Sequence, residues 1–227
     1  MNKPLPGEAL RQPFLWLLAM ILWLPLAQAN DLAIHGSNTI GATLAPMLVE
    51  GFLHHQGDTR VITRNTGTEN EAILIGERAE SPMRVLVAAH GSSTGFTALN
   101  AGEADIWASS RPVKSSELSQ MAGRADLTEL ASEHVIAIDG LAILVHPSNP
   151  VNQLSIDTRA CIFAGKINNW AELGGRNQPI NLYARDNRSG TWDTFKSLVL
   201  RKKFTLDATA QRYESNDQLS DDVSRDP

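Results

Sequence analysis

Ile180-Asn181-Leu182-Tyr183-Ala184-Arg185-Asp186-Asn187-Arg188-Ser189-Gly190-Thr191 runs from a strand pattern straight into a Gly/Ser/Thr knot that opens a helix. Two earlier stretches have the same grammar. Leu32-Ala33-Ile34-His35 leads into Gly36-Ser37-Asn38-Thr39, and Val85-Leu86-Val87, within residues 84–90, leads into Gly91-Ser92-Ser93-Thr94. A helix N-terminus carries unpaired N–H groups and partial positive charge, so each knot is a potential anion site. In the third knot Gly190 admits a ligand close to the backbone, Ser189 and Thr191 offer hydroxyls, and Arg185 offers a forked cation. Ser92 and Ser93 are the matching groups of the second knot, Thr39 and the N–H of Ile40 those of the first. Plain helix capping, or pairing of Arg185 with Asp186, explains any one knot alone. Ser110-Arg111 closes a further strand, and Arg111 either reaches the same anion or braces Asp105 or Asp139.

Outward from the knots, strands are expected near residues 31–35, 60–63, 84–89, 105–108 and 180–184, and helices near 40–54, 94–100, 115–121, 156–163 and 191–200. The first helix takes Ile40, Leu44, Met47, Leu48 and Phe52 as its apolar face, with a kink at Pro46. Residues 69–78 read as a helix, with Ser81-Pro82 ending it. Ser115 or Ser116 caps the 115–121 helix. The nearly unbroken apolar run 135–146 reads as a buried strand at a sheet centre or a crossing between lobes. This alternation indicates an α/β protein with largely parallel sheets.

The 227 residues suffice for one large domain or two lobes. A formal net charge of −5 with no basic stripe argues against a nucleic-acid partner, and means that an anion must be held by directed donors. Residues 1–29 read as a secretory signal peptide: Lys3 and Arg11 precede a short apolar stretch, and Ala27-Gln28-Ala29 suits cleavage after Ala29. Cys161, the single cysteine, excludes an internal disulfide and reads as a small buried hydrophobe. The six histidines show no metal-ligand spacing, no Walker A motif is present, and no cofactor is expected. Gly91-Ser92-Ser93-Thr94-Gly95 also fits the nucleophile elbow of a serine hydrolase. Ser93 would then act with Asp105, Asp126 or Asp139 and with His134 or His146, leaving the other knots without a role.

Taken in order, these motifs resemble the phosphate-binding periplasmic proteins of high-affinity phosphate ABC transporters, the PstS type. The resemblance runs from about Leu32 to Val223 and rests on the three knots and on Gly102-Glu103-Ala104-Asp105-Ile106-Trp107-Ala108-Ser109-Ser110-Arg111. It also rests on residues 139–150 and on Ile162-Phe163-Ala164-Gly165-Lys166-Ile167-Asn168-Asn169-Trp170. It implies a two-lobed type II periplasmic binding protein: a signal peptide (1–29), lobe one (30–138) and an incomplete lobe two (139–227). It further implies a non-enzymatic, monomeric receptor that holds phosphate in its cleft and docks on a membrane permease. Carried over residue by residue, it points to Thr39, Ile40, Ser92, Arg185, Ser189, Gly190 and Thr191 as phosphate donors, and to Phe163 and Trp170 as packing. Well-known members carry an acceptor Asp where this chain has Ser110 or Arg111. Here those residues add donors, and Asp139 is the candidate acceptor, so sulfate or molybdate stays open as the ligand. The family pattern continues beyond Pro227 with a Gly-rich strand and a return to lobe one, which implies a chain that stops early.

Overall fold

The computed structural model describes residues 30–78 and 81–227, so the expected signal peptide lies outside the described residues. A five-stranded sheet has the order β2-β3-β4-β1-β5, built from β1 (Leu32–Gly36), β2 (Arg60–Asn65), β3 (Glu71–Glu77), β4 (Met83–Ala88) and β5 (Ile106–Ala108). β1 lies parallel to both β4 and β5, with Ile34 opposite Val87 on one side and Ile106 on the other. The second sheet pairs β6 (Tyr183–Arg185) with β7 (Gln211–Tyr213) in parallel.

The expected helix over 69–78 is β3 instead. It pairs antiparallel with β2 on one edge and β4 on the other, which makes the first sheet mixed. Ala72-Ile73-Leu74-Ile75 is apolar enough to be buried from both faces, and length alone cannot separate such a run from a helix. The loop 66–70 joins β2 to β3, and its turn falls at Glu69-Asn70, where Asn70 adopts the left-handed region (φ 60°) and the Glu71 N–H donates to the Thr68 carbonyl.

The first helix is broken in two: α1 (Asn38–Gly41) and α2 (Leu44–His55). Pro46 is the third residue of α2, where its missing N–H has no intrahelical acceptor to lose, so no kink is required. The buried face is rotated by one residue from expectation. Ala45, Val49 and Leu53 pack on Leu74, Val85 and Val87, while Met47 and Leu48 are 63% and 52% exposed. Both stripes have helical spacing, and the stripe that begins with alanine allows the closer approach to the sheet.

Beyond β4 come α3 (Ser92–Ala101), closed by Gly102 in the left-handed region (φ 76°), and α4 (Ser115–Met121). The start of α4 is held by Glu117, whose carboxylate accepts from the Lys114 N–H, rather than by a serine hydroxyl. The apolar run 135–146 is not a strand. Val135 and Ile138 are 79% and 97% exposed, and among the described residues no strand pairs with the run. An apolar run records a tendency to be covered, whereas strand formation needs a neighbour's backbone, and β6 takes β7 as its partner. Residues 139–146 instead line a cavity of about 360 Å³ opposite Leu182, Tyr183 and Ala184.

Around the second sheet lie α5 (Ile156–Phe163), α6 (Gly190–Phe195), which continues as a π-helical turn over Lys196–Leu200, and α7 (Asn216–Arg225). Their core is Ala160, Ala184, Trp192, Phe195, Val199 and Leu200, and the rings of Phe163 and Phe195 lie 4.6 Å apart. Trp170 opens a short 3₁₀ turn and lines the cavity rather than joining this core, and Cys161 is only half-buried.

Candidate anion site

Each knot is held open by a local rule. Gly36 has φ 146°, and a Cβ there would fall 1.9 Å from the Ala108 carbonyl oxygen, so only glycine lets β1 lie this close to β5. Gly91 has φ 122°, and its N–H donates to the Gly36 carbonyl at 2.6 Å, which ties the first two knots together. In the third knot Asp186 Oδ1 accepts from the N–H groups of Arg188 and Ser189, and the Ser189 hydroxyl caps the Trp192 N–H.

The first intrahelical bond of α1 is from Gly41 N–H to Ser37 O, and that of α6 is from Asp193 N–H to Ser189 O. Among the described residues this leaves the N–H groups of Thr39 and Ile40, and of Gly190 and Thr191, without a helical acceptor.

The three helix starts meet. Thr39 Oγ1 is 3.3 Å from Thr191 Oγ1, and Ser92 Oγ is 3.4 Å from Ser110 Oγ and accepts from the Ser110 N–H at 3.2 Å. A Cβ on Gly190 would lie 2.3 Å from Ser92 Oγ and 2.6 Å from Ser110 Oγ. The Ser93 N–H donates to the Arg188 carbonyl at 3.1 Å, joining the second knot to the third. Thr39, Ser92, Ser110, Gly190 and Thr191 thus share one place, with Ser92 fully buried.

Arg185 is buried at the end of β6. Its guanidinium donates to the carbonyls of Tyr213 and Glu214 and to the Asn216 side-chain oxygen, all neutral acceptors. Its neighbours Asp186 and Glu214 pair with Arg188. Burial lowers the Arg185 pKa from its ordinary value, against the opposing pull of Asp186 and Glu214 nearby. A buried cation with neutral ligands is poorly compensated, and an anion beside it relieves that cost.

Arg111 is placed differently. Its Nε donates to Asp193, Nη1 to Glu117 and the Pro112 carbonyl, and Nη2 to Glu117 and Ser93 Oγ. All five N–H groups are engaged, and the guanidinium stacks over Trp107 at 5.6 Å. Arg111 braces carboxylates, namely Glu117 and Asp193 rather than Asp105 or Asp139. Asp139 is exposed and accepts from the Gly140 N–H. It lines the cavity that Thr39, Arg185 and Thr191 also line, but bonds to none of them. Ser93 Oγ has Arg111 as its partner, and none of the described hydrogen bonds joins it to a histidine.

Sequence reasoning missed two asparagines. Asn38 is buried and accepts from the Asn216 N–H, while the Asn216 side chain bridges Arg185 and Thr39. The only signal for Asn216 was its place after Ser215, which caps α7.

A family model described as the PBP superfamily domain matches residues 55–225, well over half of the chain. The chain belongs to the PBP superfamily. Among similar PBP-type proteins, Protein SphX of Synechococcus elongatus is 33% identical over 66% of this chain and 45% of its own length. The phosphate-binding protein PstS of Borreliella burgdorferi is 31% identical over 63% of this chain and 48% of its own. The chain therefore spans about half the length of these curated relatives. A structure from Clostridium perfringens, described as a phosphate ABC transporter substrate-binding protein with bound phosphate, superposes with TM-score 0.65 and 26% identity. It covers 86% of this chain and 66% of that one. An ABC-type phosphate transport receptor from Vibrio cholerae gives TM-score 0.55 at 26% identity, over 85% of this chain and 66% of its own. The relatives that the knots suggested are thus the relatives found.

Proposed function

We propose that this chain captures inorganic phosphate between its two sheet-bearing units and presents it to the membrane permease of an ABC importer. In this reading it is an exported, monomeric binding protein, and residues 1–29 direct it to the periplasm. The observation that carries the proposal is the buried Arg185 guanidinium with neutral partners, close to hydroxyls and helix N-termini contributed by both units. Thr39, Ile40, Ser92, Ser110, Gly190 and Thr191 supply donors, and Ser189 holds its helix start in place. Arg111 positions the Ser93 and α6 segments without touching the anion. The names of the PstS relatives and of the phosphate-bound neighbour support the same ligand. Asp139 stands apart from the hydroxyl cluster, so no proton acceptor is assigned to it.

Calorimetric titration of phosphate into the purified chain tests this. Saturable binding is expected, with a loss of about tenfold or more in Arg185→Ala and a smaller loss in Ser92→Ala. No heat from a protein whose circular dichroism shows it folded would overturn the assignment.

A second reading keeps the site and changes the ion. Ser110 brings a donor to Ser92, and among the described residues no carboxylate is hydrogen-bonded to the hydroxyl cluster to accept a proton from a protonated anion. Sulfate competing with phosphate at comparable concentration would favour this reading. Discrimination of a hundredfold or more would remove it.

A further inference from the structure

Outside the anion site, one titratable group bridges the two sheets. His90 follows β4 in the first sheet. Its Nε2 lies 2.9 Å from Glu71 Oε1 at the start of β3, and its Nδ1 lies 2.8 Å from Glu214 Oε1, directly after β7 of the second sheet. Ionised carboxylates only accept hydrogen bonds, so both ring nitrogens must carry protons to make both contacts. Only the imidazolium can hold both partners at once.

We propose that His90 is a proton-dependent latch between the two units, closed as the imidazolium and released when the ring loses a proton. A neutral ring has one N–H and can keep one carboxylate only. The link to the site is short: the Glu214 side chain takes His90, while the Glu214 backbone carbonyl takes Arg185. Release would leave the Glu214 side chain tied to the first unit through Asn70 Nδ2 and so loosen, rather than free, the segment that holds the binding guanidinium. The effect on ligand rests on the phosphate reading above; the latch itself does not.

The charged groups around His90 are Glu71, Glu214, His35 on β1, and Arg188 with Asp186 beside Glu214. Burial opposes charging His90, but the hydrogen bonds to Glu214 and Glu71 outweigh it and hold its pKa above the ordinary histidine value. Burial likewise opposes charging Glu71 and Glu214, and their bonds to His90 and neighbours bring their pKa values below the ordinary carboxylate range. A raised histidine pKa contributes stability present below its unfolded value and lost as pH rises through the folded value. The lowered carboxylates contribute above their unfolded values and fail as pH falls. The latch is closed between those two limits.

The test is small-angle scattering of the ligand-free protein between about pH 6 and about pH 9, beside phosphate titrations at both values. The wild type should expand at the alkaline end and lose affinity by about fivefold or more beyond any change seen in His90→Gln. His90→Gln should show the same dimensions at both pH values. Glu214→Gln, which keeps an acceptor oxygen, should also flatten the response. Equal pH responses in wild type and both variants would overturn the latch. A pH-dependent opening with no phosphate binding at any pH would uphold the latch and overturn the phosphate reading instead.

Discussion

The hydroxyl oxygens of Thr39 and Thr191 stand 3.3 Å apart across 152 residues of chain. Each belongs to the first turn of a short helix, and the two helices come from opposite units of the molecule. At this distance one hydroxyl donates to the other, so the contact ties the two units together directly, and either hydroxyl can turn instead to an anion beside it.

Gly190→Ala is the sharpest test of that closeness. The added Cβ would meet Ser92 Oγ at 2.3 Å and Ser110 Oγ at 2.6 Å. Relieving the clash would push the units apart, with a cost of about 1–3 kcal/mol to the closed arrangement. Phosphate affinity in titration calorimetry should fall about five- to hundredfold, with little change in circular dichroism.

Asn216→Ala removes the side chain that accepts from Arg185 and approaches Thr39. The guanidinium keeps its two carbonyl partners, so the fold should survive. Affinity should drop by roughly three- to tenfold, following the loss of about 1 kcal/mol typical of one hydrogen bond. An unchanged dissociation constant would remove Asn216 from the site.

Arg111→Met leaves the buried Glu117 without its forked partner and Asp193 without one of its cations. Removing one member of a buried pair costs about 3–5 kcal/mol. Thermal or urea unfolding should show a loss of that order, far larger than any effect of Arg188→Met, whose partners are more exposed.

The two faces of α2 should respond in opposite ways. Leu53→Ala empties a fully buried position and should cost about 2–5 kcal/mol, whereas Leu48→Lys should stay within about 0.5 kcal/mol. Urea midpoints measure both.

Both tyrosines should titrate late. The Tyr213 hydroxyl donates to Asp222 on α7, and this bond, with burial and the Asp222 charge, raises its pKa to about 12. Burial, then its bond to Asp226, also raises that of Tyr183. Stability from these phenols is present below their unfolded pKa and lost as pH rises through the raised values. Absorbance titration near 295 nm should show less tyrosinate at about pH 10 than two free phenols would give, and Asp222→Asn should return Tyr213 toward that value.

The strand-then-knot elements were legible because each is local: an apolar run, a glycine at positive φ (Gly36, Gly91) or at a close approach (Gly190), and a hydroxyl at the helix start. Which donors stay unpaired was less legible. Arg185 and Arg111 look alike in sequence, yet the first ends among carbonyls and the second between Glu117 and Asp193, partners set by packing. The apolar run 135–146 and the helix expected over 69–78 misled for a related reason. Hydrophobicity tells which residues seek cover, and only the neighbouring strand decides what shape they take.

One amide carries an experimental opportunity of its own. The Ser93 N–H is on the second knot, while its acceptor, the Arg188 carbonyl, is on the third. The bond lasts only while the two units touch, so the deuterium uptake of this amide should act as a built-in gauge of how often they part, without any attached label.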